Sequence, residues 1–91
     1  MGADAVCLVW KFFYDRRISQ PVAFDITQIS HEISMSEEDV KDLCADLLRG
    51  GMIEEGKTIN QTKGFIITSQ GSLRYKTDCL GLSLEEAIRK S

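Results

Sequence analysis

The sequence predicts an α+β, mainly α, fold in one domain over residues 1–91: a three-helix core, a two-stranded β-arm and C-terminal helices, with residues 80–91 as a helical extension. Three observations carry this. Val40, Leu43, Cys44, Leu47 and Leu48 fall at i, i+3, i+4, i+7 and i+8, the spacing of one buried helical face, and Gly50 and Gly51 end the run. Met52 and Ile53 on one side, and Phe65, Ile66, Ile67 and Thr68 on the other, bracket a polar stretch with two glycines, the pattern of an antiparallel arm. Upstream, residues 3–16 contain neither glycine nor proline and repeat Val6, Val9, Trp10 and Phe13 at helical spacing.

The first helix therefore spans about residues 3–16. A second apolar set, Ala5, Leu8 and Phe12, lies beside the first, and Lys11 alone interrupts the apolar residues from 5 to 14. A helix apolar nearly all round is normally buried on every side, and a chain this short has little material to cover both faces. The expectation is that Val6, Val9, Trp10 and Phe13 face the core while Leu8 and Phe12, with Ala5, pack against a second copy. The rival is that residues 80–88 fold back over them within one chain. The pair Trp10 and Tyr14, at i, i+4, reads as packing rather than a ligand box.

Ser19, Gln20 and Pro21 break the first helix, and residues 22–24 form a short extended piece. A second helix starts with Asp25 or Thr27 as its cap and runs to Ile33, with Ile26, Ile29 and Ile33 on one side. Ser36 caps the third helix, and Glu37, Glu38 and Asp39 occupy its first turn, where the helix dipole favours negative charge. The bend of the arm is open between Glu55–Gly56 and Thr62–Lys63–Gly64. Thr68 or Ser69 caps a fourth helix reaching about Cys79, and Ser83 with Glu86 forms a capping box for a last helix ending at Lys90.

Composition narrows the function. With 43% hydrophobic residues, 27% charged and one proline in 91, the chain is an ordinary globular sequence and not a disordered one. Its longest apolar run, residues 5–10, is about a third of the ~20 needed to cross a bilayer, and the N-terminus lacks a basic n-region, so neither a membrane span nor a signal peptide is expected. Cys7, Cys44 and Cys79 are odd in number and far apart, which predicts no disulfide framework, no metal site and a reducing, cytoplasmic setting. Cys44 reads as a small apolar residue of the third helix. The single histidine, His31 beside Glu32, does not make a triad, and Gly50–Gly51 follows a helix rather than opening one. No catalysis, metal or cofactor is expected. The net charge of −3 is uneven: residues 1–31 are neutral, residues 32–55 set eight carboxylates against Lys41 and Arg49, and the remainder is basic.

Two local patterns bear on family. Leu47, Leu48, Arg49, Gly50, Gly51, Met52 and Ile53 resemble the L-x-x-x-G-hydrophobic-I junction between a recognition helix and a wing. Ile67, Thr68, Ser69, Gln70 and Gly71 resemble the hydrophobic-T-x-x-G exit from the wing in MarR-like and PadR-like regulators. The resemblance covers about residues 6–79. It implies a winged helix-turn-helix whose third helix enters a major groove while the wing touches the flanking backbone, hence a small DNA-binding transcription regulator that pairs as a homodimer. Lys41, Lys57, Asn60, Gln61 and Lys63, helped by Arg74 and Lys76, are the candidate contacts to double-stranded DNA.

The third helix departs from that pattern. With its apolar ridge inward, its outer face is Glu37, Glu38, Lys41, Asp42, Ala45, Asp46 and Arg49, which mostly repels phosphate. The alternative is a winged-helix protein-interaction module that does not bind DNA and meets a basic protein partner through Glu38, Asp42 and Asp46. On either reading, Leu8 and Phe12 are the candidates for self-association.

Overall fold

The computed structural model describes residues 3–89. Its elements are α1 (Ala3–Arg16), α2 (Ile26–Ile33), α3 (Glu37–Arg49), β1 (Ile53–Lys57), β2 (Lys63–Ile67), α4 (Ser69–Asp78) and α5 (Leu84–Arg89). Among the described residues no helix is long and apolar enough to cross a membrane.

The fold solves the problem posed by the first helix by placing it at the centre. α1 packs against α2, α3, α4 and β2, so Val9, Trp10, Phe12 and Phe13 are all buried. Phe12 is thereby corrected from an interface residue to a core residue, 3% exposed. Its ring meets Phe24 edge-on at 5.0 Å and Phe13 at 5.6 Å, and the Arg16 guanidinium lies 3.9 Å over its face. Leu8 stays half exposed, because α5 packs on α4 and does not cover it. Val9, Phe13, Ile29, Val40 and Ile53 are sealed from solvent, each contributing about 1.5–3 kcal/mol of apolar burial.

Helix starts follow the side chains that satisfy free backbone N–H groups. The Asp25 carboxylate accepts from Gln28 N at 2.8 Å, Ser36 Oγ from Asp39 N at 3.2 Å, and Thr68 Oγ1 from Gly71 N at 2.9 Å. Ser83 and Glu86 form the reciprocal box at α5. The expected end of that helix at Lys90 lies outside the described residues.

The wing exit has a specific packing cause. A Cβ on Gly71 would stand 1.9 Å from the Met52 carbonyl oxygen, so only glycine lets α4 close on the strand entrance. Thr68 Oγ1 donates to the carbonyls of Gly51 and Met52, and Trp10 Nε1 donates to Gly71 O at 3.0 Å. Helix, wing and α1 are joined at this one point.

β1 and β2 pair antiparallel with Ile53 opposite Ile67, Glu55 opposite Phe65 and Lys57 opposite Lys63. Neither proposed bend is the turn. Gly56 and Gly64 face each other inside the strands, and the chain reverses at residues 59–61 between Thr58 and Thr62. The glycines are needed because the extended piece at residues 22–24 approaches closely: Phe24 exchanges two 2.8 Å backbone hydrogen bonds with Phe65 and Ala23 bridges to Thr58. A Cβ on Gly64 would lie 2.8 Å from Phe24 O.

Two further expectations are corrected. Cys7 and Cys79 form a disulfide although 72 residues separate them, because α1 lies along α4 and brings their Cα atoms to 5.8 Å; a bridge between helices leaves no trace in sequence spacing. Cys44 is the free, buried thiol. Lys76 is not a phosphate contact: it is 3% exposed, and its Nζ donates to Ala87 O at 3.1 Å beneath α5.

Candidate nucleic-acid interface

The α3 outer face is built as its periodicity requires. Val40, Cys44 and Leu47 are buried, and Glu37, Glu38, Lys41, Asp42, Ala45, Asp46 and Arg49 are exposed. Arg49 pairs with Asp46, and Thr27 Oγ1 donates to Glu37 at 3.2 Å. Glu38 and Asp42 point outward with no cationic partner among the described residues.

Strand alternation places Ile53, Glu55 and Lys57 on one side of the ribbon, with their partners Ile67, Phe65 and Lys63. This side meets the helices. The result is a groove of about 320 Å³ with an apolar floor of Ile26, Ala45, Leu48 and Phe65 and a charged rim of Lys41, Glu55 and Lys63. Lys63 reaches Glu55 at 3.5 Å. Lys57 stands across the ladder from Lys63 and shares a hollow with it. Of the cations predicted from sequence, Lys63 of the wing lies beside Lys41 of α3 on one side and beside Lys57 on the other. Among the described residues, Lys41 and Lys57 are the cations whose side chains make neither ion pair nor hydrogen bond.

The wing tip is short and braced. Thr58 is buried, its Oγ1 lies 2.6 Å from Thr62 Oγ1, and it accepts from Thr62 N at 3.1 Å. Backbone bonds from Thr58 N to Thr62 O and from Gln61 N to Thr58 O, both 2.9 Å, close the loop, with Gln61 at φ +65. Ile59, Asn60, Gln61 and Thr62 are all exposed, and Ile59 borders a hollow shared with residues 19–24.

Of the remaining candidates, Arg74 is tied to Asp78 at 3.1 Å. Leu8 lies apart from the groove, in a hollow with Cys7, Lys11, Tyr75 and Cys79. There the Asp15 carboxylate, hydrogen-bonded to Lys11 at 2.5 Å, holds the Lys11 pKa above its ordinary value. Sequence reasoning missed the apolar floor. The floor needed the strand register, since only the pairing of Glu55 with Phe65 shows that Phe65 shares a face with the lysines.

Three helices, a wing exiting through a threonine cap, and a groove between the third helix and that wing define a winged helix-turn-helix. The fold is of the MarR type seen in solved transcription regulators. MepR, the Staphylococcus aureus regulator of the multidrug efflux pump MepA, superposes with a TM-score of 0.70 at 14% identity, over 94% of this chain and 60% of that one. Staphylococcus aureus MarR, solved with salicylate and kanamycin, gives 0.57 at 20% identity, over 90% and 55%. The chain thus spans about three fifths of the length of these neighbours. No protein-family model and no curated protein matches it.

Proposed function

We propose that the protein is a small DNA-binding transcription regulator, with no enzymatic activity, that engages duplex DNA through the groove between α3 and the wing. The observation that carries this reading is that Lys63 lines one hollow with Lys41 and another with Lys57, two cations with no internal partner, on the edge where a winged helix faces its duplex. An unpaired lysine beside phosphate releases counterions at little internal loss, whereas Arg49, Arg74 and Arg89 would have to give up an ion pair. The α3 carboxylates limit how closely that helix sits in the major groove, which leaves most of the contact to the wing. Regulator neighbours support the same reading.

Self-association belongs to this proposal in revised form. Phe12 is withdrawn, and the exposed large apolar residues on α1, on α5 and between α4 and α5 are Leu8, Leu80, Leu84 and Ile88. The Cys7–Cys79 bridge favours an oxidising setting over the reducing, cytoplasmic one expected from the spacing of the cysteines.

Fluorescence anisotropy of a labelled mixed-sequence duplex across a salt series tests the proposal. Affinity falls steeply with salt, and Lys41→Ala with Lys57→Ala reduces the slope of log K against log salt by about 2. Absence of binding at about 50 mM salt refutes it and turns attention to a basic protein partner for Glu38, Asp42 and Asp46.

A further inference from the structure

We propose that Ile59 is a wedge: the wing presents it to the minor groove, where it parts the stack at a flexible pyrimidine–purine step. This rests on the DNA reading above and names the kind of duplex that reading favours. Ile59 is 77% exposed at the tip of a hairpin, a position where small polar residues and glycine are usual. A lone exposed aliphatic residue needs no explanation by itself. Its setting is what points to a ligand.

The loop that carries Ile59 is fixed before any partner arrives. Thr58 and Thr62 clasp it through side chain and backbone, and the bridge from Thr58 to Ala23 anchors it to the body. An apolar tip held in place loses little conformational entropy on insertion. The two residues beside it, Asn60 and Gln61, are exposed amides. Their NH₂ groups are the donors that the adenine N3 and thymine O2 acceptors of an A·T minor groove require. Two residues before it stands Lys57, exposed and with no internal partner, a cation available to a phosphate. A cation, an apolar point and two amide donors in sequence are the chemistry of a minor-groove wedge: charge to seat it, amides to select A·T pairs, an aliphatic side chain to open a step.

The stub length of the wing sharpens the inference. Because Gly64 and Thr58 are pinned against residues 22–24, the arm cannot extend far along the groove and engages it by its tip. Such a tip discriminates by how easily the step yields, and TA and CA/TG steps yield most readily, whereas A-tracts resist.

The test uses the full chain and two A·T-rich duplexes of equal length. One places 2-aminopurine at a central TA step, and the other places it inside an uninterrupted A-tract. Binding to the first raises 2-aminopurine fluorescence, and affinity for it exceeds that for the A-tract by about tenfold. Ile59→Ser removes both the rise and the preference while retaining the A-tract affinity, and Ile59→Phe keeps both. Lys57→Ala weakens the two duplexes equally. Ile59 is outside the core, so the urea midpoint of each variant should match the parent. A duplex that is bound without any fluorescence rise, or an Ile59→Ser protein with the parent's rise and preference, overturns the wedge and leaves DNA binding standing. Failure to bind either duplex overturns both.

Discussion

Reducing the Cys7–Cys79 bridge reopens a loop spanning 72 residues, four fifths of the chain. In the chain-entropy account, a loop of that length limits the unfolded state by about 4.4 kcal/mol at 25 °C, and residual structure in the reduced chain lowers the observable part to about 2–4 kcal/mol. With a urea m-value of about 1.2 kcal/mol/M, the midpoint should fall by about 2–3 M on reduction. Trp10 is the sole tryptophan, is buried and lies edge-on to Tyr75 at 6.0 Å, so its fluorescence reports the transition directly. The Cys7→Ser/Cys79→Ser double variant should unfold at the reduced midpoint whether or not reductant is present. Thiol titration gives a second readout: the unreduced chain in denaturant exposes one thiol, Cys44, and the reduced chain three. A midpoint unmoved by reductant, or three thiols without it, would refute the reasoning.

Other consequences are equally direct. Gly71→Ala, whose Cβ would strike the Met52 carbonyl at 1.9 Å, should cost about 3 kcal/mol in urea unfolding; Gly81→Ala, at φ +72 with open space around it, should cost only about 1–2 kcal/mol, and equal losses would be the wrong outcome. Phe12→Glu places a carboxylate among Phe13, Phe24 and the body of α1 and should destabilise by about 4 kcal/mol or more. Leu8→Glu, half exposed, should leave the midpoint in place and change only the mass seen by light scattering; a stable Phe12→Glu protein would contradict the packing described. Burial pushes the Cys44 thiol from its ordinary 9.0 up to about 12, so the unfolded chain loses this proton first. The stability it contributes is complete below pH 9 and is lost as pH rises from 9 toward 12, with Tyr75, also raised by burial, adding to the fall above pH 10. Urea midpoints across that range should decline less in Cys44→Ala, and an unchanged slope would exclude Cys44 as the cause.

Much of the architecture was legible because it rests on local chemistry. The Ser36 cap and the apolar ridge of α3 are decided within a few residues of chain, where spacing and side-chain type suffice, and the caps of α2 and α4 were narrowed to Asp25 or Thr27 and Thr68 or Ser69 before the structure selected Asp25 and Thr68. The arm was legible as an arm, but not its bend. Gly56 and Gly64 resembled turn glycines, and their actual role, admitting the strand at residues 22–24, involves a segment more than thirty residues away. The candidate interface divides the same way. Lys41, Lys57, Asn60, Gln61 and Lys63 were visible as polar residues of α3 and the wing, and the structure leaves them exposed, while Lys76, on the same helix as Arg74, looked equivalent until α5 was seen to cover it.

The amino-acid order alone determined which segments are helical, where they begin to within a residue or two and which ridge of α3 turns inward, since these follow from periodicity and from hydrogen bonds made within one turn. Only the tertiary structure decided that α1 is enclosed by α2, α3, α4 and β2 so that Phe12 is core, that Cys7 meets Cys79, and that Lys57 and Lys63 share a face with Phe65 beside Lys41. Those facts depend on how far-separated segments pack and register, and a contact of that kind is set by the shape of both partners rather than by the spacing of either.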